Sequence, residues 1–336
     1  MRTSRLIATA LAIATLCTAC TATSDGDGVL TIYAGRGEDL IAQVIADFEA
    51  DTGIDVEVRY AGTAELAAQL LEESDATPAD LFWAQDAGAL GAVDQAGLLT
   101  TLPDDVLNLV EPANRADNGS WVGVTGRARV IVWSTERLTE ADVPTSVLDL
   151  TDPQWRGRVG WAPTNGSFQA FVTAMRVTLG EDVTKSWLEG MLANDVQEYS
   201  NNSSQVEAVG RGEIDLGLVN HYYLLRFLAE DPSFPAANAF PSGDIGSLLN
   251  VSGIAQLKGS GDDELAVQFV TFLLSQEVQS YFAAVTDEAE YPLVAGVEPS
   301  SVLPSLSELN PPAVDLSDLA DLEGTLELLR EVGALQ

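Results

Sequence analysis

Residues 29–60, VLTIYAGRGEDLIAQVIADFEADTGIDVEVRY, decide the fold class. Val29–Ala34 is a short apolar run closed by Gly35-Arg36-Gly37, which reads as a strand entering a turn. From Glu38 to Ala50 the period changes. Leu40, Ile41, Val44, Ile45 and Phe48 recur at helical spacing, and Gly53 stands just past the end. Ile54–Tyr60 then alternates as a second strand. Two strands joined by one helix make a βαβ unit, and such units build parallel sheets covered on both faces.

Working outward, the alternation continues. Thr63 is expected to cap a helix over Thr63–Glu73; Ala79–Trp83 is a strand, and Gln85-Asp86-Ala87-Gly88 opens the next helix. Gly123–Trp133 (GVTGRARVIVW) is long enough to cross between lobes. A second α/β unit follows. Arg158–Ala162 is a strand and Asn165-Gly166-Ser167 a turn into the helix Phe168–Leu179. Further on come a helix over Val183–Ala193, a strand over Val196–Tyr199 and a buried strand over Glu213–Val219. Asn202-Ser203-Ser204 is expected to cap Gln205–Val209, with Ser204 and Glu207 as a capping box. Leu249–Ala255 crosses back, Asp262–Ala284 reads as one long amphipathic helix, and Leu319–Val332 as the last. The expected fold is α/β with two lobes, 29–128 plus 253–304 and 129–252 plus 305–336. A cleft between them would hold a ligand at strand carboxyl ends.

Residues 1–19 have the layout of a signal peptide: Arg2 and Arg5, an apolar run Ile7–Leu16 too short to span a bilayer, then small residues before Cys20. That pattern predicts a lipoprotein acylated at Cys20, with residues 20–28 as a flexible tether and an extracytoplasmic, membrane-anchored location. Cys17 falls in the leader and Cys20 is the expected acylation site, so the exported domain relies on its core rather than on disulfides.

The chain has 16 Lys+Arg against 51 Asp+Glu, a net charge of −35. Such a field excludes nucleic acid and anionic headgroups as partners. The acids scatter over helix faces and read as a solvated surface, as in proteins adapted to high salt, rather than as cation ligands. One histidine, with no G-x-S-x-G elbow, HExxH or P-loop, leaves little machinery for catalysis.

Three polar junctions stand at strand carboxyl ends: Asn165-Gly166-Ser167, Asn202-Ser203-Ser204 and Asn220. Backbone N–H groups at such turns favour an anion. Beside Asn220 lie His221, Tyr222 and Tyr223. Phenolate is a hard donor suited to Fe³⁺, whose charge two phenolates reduce to +1; an anion could neutralise the rest. The residues alone leave two readings open, a metal site and buried aromatic packing.

Taken together, YAGRGEDL (33–40), PADLFWAQDAGAL (78–90), VGVTGRARVIVW (122–133), GRVGWAPTNGSFQAFV (157–172) and IDLGLVNHYY (214–223) resemble the ferric-iron-binding proteins of bacterial ABC importers. The likeness runs in order from Val29 to Val332. It implies the transferrin-like, type II periplasmic-binding fold, a monomer that delivers Fe(III) to a membrane permease. The resemblance assigns the metal to Tyr222 and Tyr223, and a synergistic carbonate or phosphate to Asn165, Gly166, Ser167, Asn202 and Asn220. The chain departs from the family twice. A ligating His is replaced by Gly37, and a ligating Glu by Gln85 beside Asp86. The first lobe is then expected to supply Asp86, Glu38, water, or an anion held by Arg36 and Arg127, and a ferric chelate competes with bare Fe³⁺ as the cargo. His221 is expected to hydrogen-bond near the cleft. The competing functions are a receptor for a small organic or phosphate-like anion without metal, and an envelope hydrolase on the same fold.

Overall fold

A computed structural model describes residues 28–261, 263–285 and 288–335. The expected signal peptide, most of the tether and the acylation site Cys20 lie outside the described residues. Among the described residues no helix is long and apolar enough to cross a membrane.

The first unit runs β1 (Val29–Ala34), α1 (Glu38–Thr52), β2 (Asp55–Tyr60), α2 (Thr63–Glu73), β3 (Leu81–Ala84), α3 (Ala87–Gln95) and the single turn α4 (Asp104–Leu107). β4 (Val122–Ser134) leads into the second: β5 (Val159–Trp161), α5 (Gly166–Leu179), α6 (Glu181–Ala193), β6 (Gln197–Glu198), α7 (Asn202–Gly210), β7 (Leu216–Asn220), α8 (Tyr222–Glu230) and β8 (Ala236–Ala239). The chain then makes β9 (Leu249–Gln256), α9 (Asp263–Leu273), α10 (Gln276–Ala284), β10 (Tyr291–Pro292), α11 (Leu306–Leu309) and α12 (Leu322–Glu331).

The strands follow the order β2-β1-β3-β9-β4-β7-β5-β6, with β8 and β10 also on β4. β1 is parallel to β2 and β3, and β5 to β6 and β7. Everything that pairs with β4 does so antiparallel. β4 serves both halves of the sheet. Its residues Val122–Ala128 pair with β9, whereas Arg129–Trp133 pair with β7. The change of partner falls between Ala128 and Arg129. A strand flanked this way is buried at every residue, which explains its nearly continuous apolar run and means that its two arginines need partners inside the protein. Gly126 lets β9 and β10 close on it, since a Cβ there would lie 3.0 Å from Leu249 Cδ1 and 3.2 Å from Tyr291 Cβ.

Each half has its own aromatic centre. Phe48 and Trp83 meet Phe269 edge-on at 4.9 and 6.1 Å, and Trp161 meets Phe168 at 5.5 Å and Trp187 at 6.5 Å. Such edge-to-face pairs contribute about 0.5–1.5 kcal/mol each beyond area burial.

Several local expectations are corrected. The helix expected over Asp262–Ala284 is two helices, broken at Leu274-Ser275, where extended Ser275 caps α10 through Val278 N–H. The break is stabilised from inside: buried Gln279 donates Nε2 to the Leu273 carbonyl at 3.0 Å and to Val124 O of β4 at 2.7 Å. α7 is capped by Asn201, which forms the capping box with Ser204, so Ser204 and Glu207 do not. α12 begins at Leu322 after a 3-10 turn over Leu316–Ala320, not at Leu319. Thr63 does not cap α2; its hydroxyl serves the site below.

Candidate functional site

The carboxyl ends of β1, β3, β5 and β7 and the partner switch of β4 face one cavity of about 330 Å³. Its lining includes Gln85, Asp86, Arg127, Arg129, Tyr222 and Tyr223, with the first turn of α5 (Gly166, Ser167), Asn165 and Asn220. On the first-unit side, Thr63 ties two strand ends together. Its Oγ1 donates to Gly35 O at 3.3 Å and accepts from Gln85 N–H at 3.0 Å. Gly35 permits this approach, because a Cβ there would stand 2.0 Å from Thr63 Oγ1.

Gln85 lines the cavity with its amide engaged. In the orientation that satisfies both neighbours, Nε2 donates to Gly35 O at 3.0 Å and Oε1 accepts from Arg127 Nη1 at 2.9 Å. Asp86 caps α3 through Ala89 N–H at 2.9 Å and also borders the cavity. Glu38 is exposed at the start of α1 and is not part of the lining.

Arg36 is also absent from the lining. Its guanidinium is buried 2.8 Å from Glu290, which Arg127 approaches at 4.0 Å and to which the Thr125 hydroxyl donates. Burial alone would push the Glu290 carboxyl up, but Arg36 and Arg127, with Thr125, hold it below the usual carboxylate range. Glu290 is therefore shared by two arginines, Arg36 and Arg127, and Glu288 is near enough to act on Arg36 and Glu290 as well. In a chain of net charge −35, the cavity wall thus carries the buried cationic side chain of Arg127.

Arg129 organises the second-unit side. Nη1 donates to Ser167 Oγ at 3.2 Å and Asn220 Oδ1 at 3.3 Å, and Nη2 to Leu218 O at 2.9 Å. Its guanidinium lies 5.3 Å from the Phe171 ring. Burial lowers its pKa to about 10, offset in part by the phenols of Tyr222 and Tyr223. Asn165 caps α5 and accepts from Ser167 Oγ at 2.6 Å. Asn202 stands behind this pair, 1% exposed and outside the lining. It donates Nδ2 to Asn165 Oδ1 at 3.1 Å and Ser167 Oγ at 3.2 Å. It therefore supports the turn from behind.

Tyr222 and Tyr223 are the first two residues of α8, with ring centroids 4.5 Å apart. Starting the helix here lets neighbours that would diverge by about 100° along a continuing helix border one cavity. Burial, and then the neighbouring Tyr222, push the Tyr223 phenol up. Such a phenol stays protonated at neutral pH until a cation displaces its proton.

His221 is 0% exposed beneath them. Nδ1 accepts from Ala128 N–H at 3.2 Å, and Nε2 faces Ala289 O at 3.1 Å, so Nε2 carries the proton and both nitrogens are engaged. Burial lowers its pKa from 6.5 to about 4. The unfolded chain therefore binds this proton more readily than the folded one. His221 is expected to cost about 3 kcal/mol of stability as the pH falls from 6.5 to 4, with no further loss below. Urea unfolding across that window measures it, and the His221→Gln variant should flatten that segment of the curve.

Sequence reasoning passed over Arg129 and Glu290, and read Thr63 only as a helix cap. Arg129 had a signal: Arg127 and Arg129 at i and i+2 share one face of a strand that is otherwise apolar or small. Glu290 had none, because one glutamate among so many acids carries no mark of burial. Among the described residues, no three His, Cys, Asp or Glu side chains gather to hold a metal; tyrosine oxygens are outside that set.

The sequence matches the model for bacterial extracellular solute-binding proteins over residues 43–309. It is 35% identical over 331 residues to the major ferric iron-binding protein of Neisseria meningitidis serogroup A, covering 97% of this chain and 99% of that protein. It is 32% identical to the Fe(3+)-binding periplasmic protein of Serratia marcescens, covering 93% and 92%. Iron-bound HitA from Pseudomonas aeruginosa superposes with a TM-score of 0.84 at 36% identity, over 91% of this chain and 99% of that one. A Trichodesmium protein (IdiA, FutA) solved with iron and citrate gives 0.81 at 26% identity, over 91% and 99%.

Proposed function

Because the chain belongs to the bacterial extracellular solute-binding proteins, which bind solutes for transport rather than catalyse reactions, we propose that its cavity captures ferric iron with an anion for an ABC importer. The observation that carries this reading is the placement of two adjacent tyrosines against the same cavity as two buried arginines. Tyr222 and Tyr223 supply hard phenolate donors, and Asp86 is the first-unit carboxylate that borders the same space. Gln85, held by Arg127 and Gly35, is a weaker donor and fixes the wall instead.

The anion takes the second-unit side, next to the tyrosines. Arg129, Asn220 and the Gly166-Ser167 turn that opens α5 form its cradle, with Arg127 beside them and Asn202 bracing the turn. Ferric ion with two phenolates keeps one positive charge, which carbonate, phosphate or a chelator carboxylate would neutralise. A cavity of about 330 Å³ far exceeds one ion and leaves room for a ferric chelate. Lobe closure over this cleft, acylation at Cys20, action as a monomer and docking on a permease complete the proposed cycle.

The test is a titration of metal-free protein with ferric citrate. The expected result is a visible tyrosinate-to-iron charge-transfer band that saturates at one iron per chain. Two arginines in the cavity also suit a second reading, an anion receptor without metal. Thermal stabilisation by inorganic phosphate with no uptake of iron would favour that reading.

A further inference from the structure

Arg226 lies one turn along α8 from the tyrosine pair, and helical side chains lean toward the N-terminus. Its guanidinium accordingly stands 5.2 Å from the Tyr222 ring centroid and 5.1 Å from that of Tyr223. It is pinned from outside the helix by an ion pair with Glu288, on the segment between α10 and β10, whose side chain is 18% exposed. The same segment accepts the His221 Nε2 proton at Ala289 O. Two adjacent bonds thus join the tyrosine-bearing end of α8 to a segment that continues into β10, on the first-unit part of β4.

We propose that Arg226 is a positioning and tuning residue of the ferric site. It stacks on both phenols so that their oxygens converge before the metal arrives, and its fixed charge governs the electronic character of the tyrosinate–iron bonds. This rests on the ferric reading above. A cation over a phenolate ring attracts its donor electrons, which raises the energy of ligand-to-metal charge transfer and makes the bound ferric ion easier to reduce. Glu288 opposes that charge and holds Arg226 in place, so the pair sets both geometry and potential.

The experiment loads wild-type protein and the Arg226→Met, Arg226→Lys and Glu288→Gln variants with iron from ferric citrate. It reads the charge-transfer band, the midpoint potential by spectroelectrochemistry, and affinity by citrate competition. Arg226→Met should move the band to longer wavelength, make the potential more negative and weaken iron binding on the order of 10-fold. Arg226→Lys should restore the potential toward wild type but only part of the affinity, because an ammonium cannot lie flat against two rings. Glu288→Gln should move the potential the opposite way, since it removes a negative charge and leaves Arg226. A purely structural role would shift neither band nor potential. Wild-type band and potential in Arg226→Met overturn the proposal while leaving the ferric reading intact. If Arg226→Met does not fold, an unchanged or more negative potential in Glu288→Gln overturns it equally. Wild-type protein with no tyrosinate band removes the ferric reading and the proposal together.

Discussion

Replacing Tyr222 and Tyr223 together with phenylalanine is expected to abolish the ferric charge-transfer band and weaken iron binding by a thousandfold or more, on the order expected when donors rather than their outer partners are removed. In the proposed ferric site the two hydroxyls supply the chemistry, whereas the two rings are architecture. Tyr222 is 3% exposed and packs edge-on to His221 at 5.7 Å, and both rings lie under Arg226. Phenylalanine keeps every one of those ring contacts, so the melting temperature of the metal-free variant should stay within about 2–4 °C of wild type. This separation gives the result its meaning. Loss of iron with retained stability identifies the phenols as donors; loss of both would return them to the aromatic-packing reading. Single variants should each retain a weakened and shifted band, because one phenolate remains.

Glu290→Gln is expected to produce the largest loss of stability, about 3–5 kcal/mol, the cost of removing one member of a buried ion pair. Glu290 is 1% exposed and lies between Arg36, Arg127 and Thr125. A glutamine keeps the shape but removes the charge, leaving Arg36 and Arg127 without the carboxylate they share. Its amide nitrogen would also set a donor among donors. Denaturant unfolding near pH 7 measures the loss. The wild-type protein should show the same dependence with pH. The folded-state pKa of Glu290 lies below that of the unfolded chain, so its contribution is complete above the unfolded value of about 4.3. It disappears as the pH falls through the folded value. Stability of Glu290→Gln should be flatter than wild type in that acid range. The His221 loss occurs at higher pH and should persist in it.

The elements that sequence read well are those where local pattern and burial agree. The first βαβ unit held closely, with α1 at Glu38–Thr52 and β2 at Asp55–Tyr60, because its helical and alternating periods are sustained over many residues. The long helix expected over Asp262–Ala284 failed for the opposite reason. Its apolar spacing continues through Ser275, and only the inward reach of Gln279 to β4 and to the freed Leu273 carbonyl makes the break stable there. The cap of α7 slipped by a few residues because Asn201, Asn202, Ser203 and Ser204 are all competent caps, and packing of Asn202 behind Asn165 selects among them.

For the site, the sequence by itself determined which chemistry was on offer: adjacent phenols after a strand, polar turns at strand carboxyl ends, and a histidine next to them. Residue type and spacing suffice for that, because donor hardness and the exposure of backbone N–H groups at helix starts are local properties. Tertiary structure alone decided how each charge is used. Arg36 faces Glu290 from 254 residues away in the chain, Arg129 rather than Arg36 joins Ser167 and Asn220, and His221 turns both nitrogens to backbone partners at Ala128 and Ala289. The free energy of a buried charge depends on which opposite charge and dipoles surround it in space, and sequence spacing carries no record of that distance.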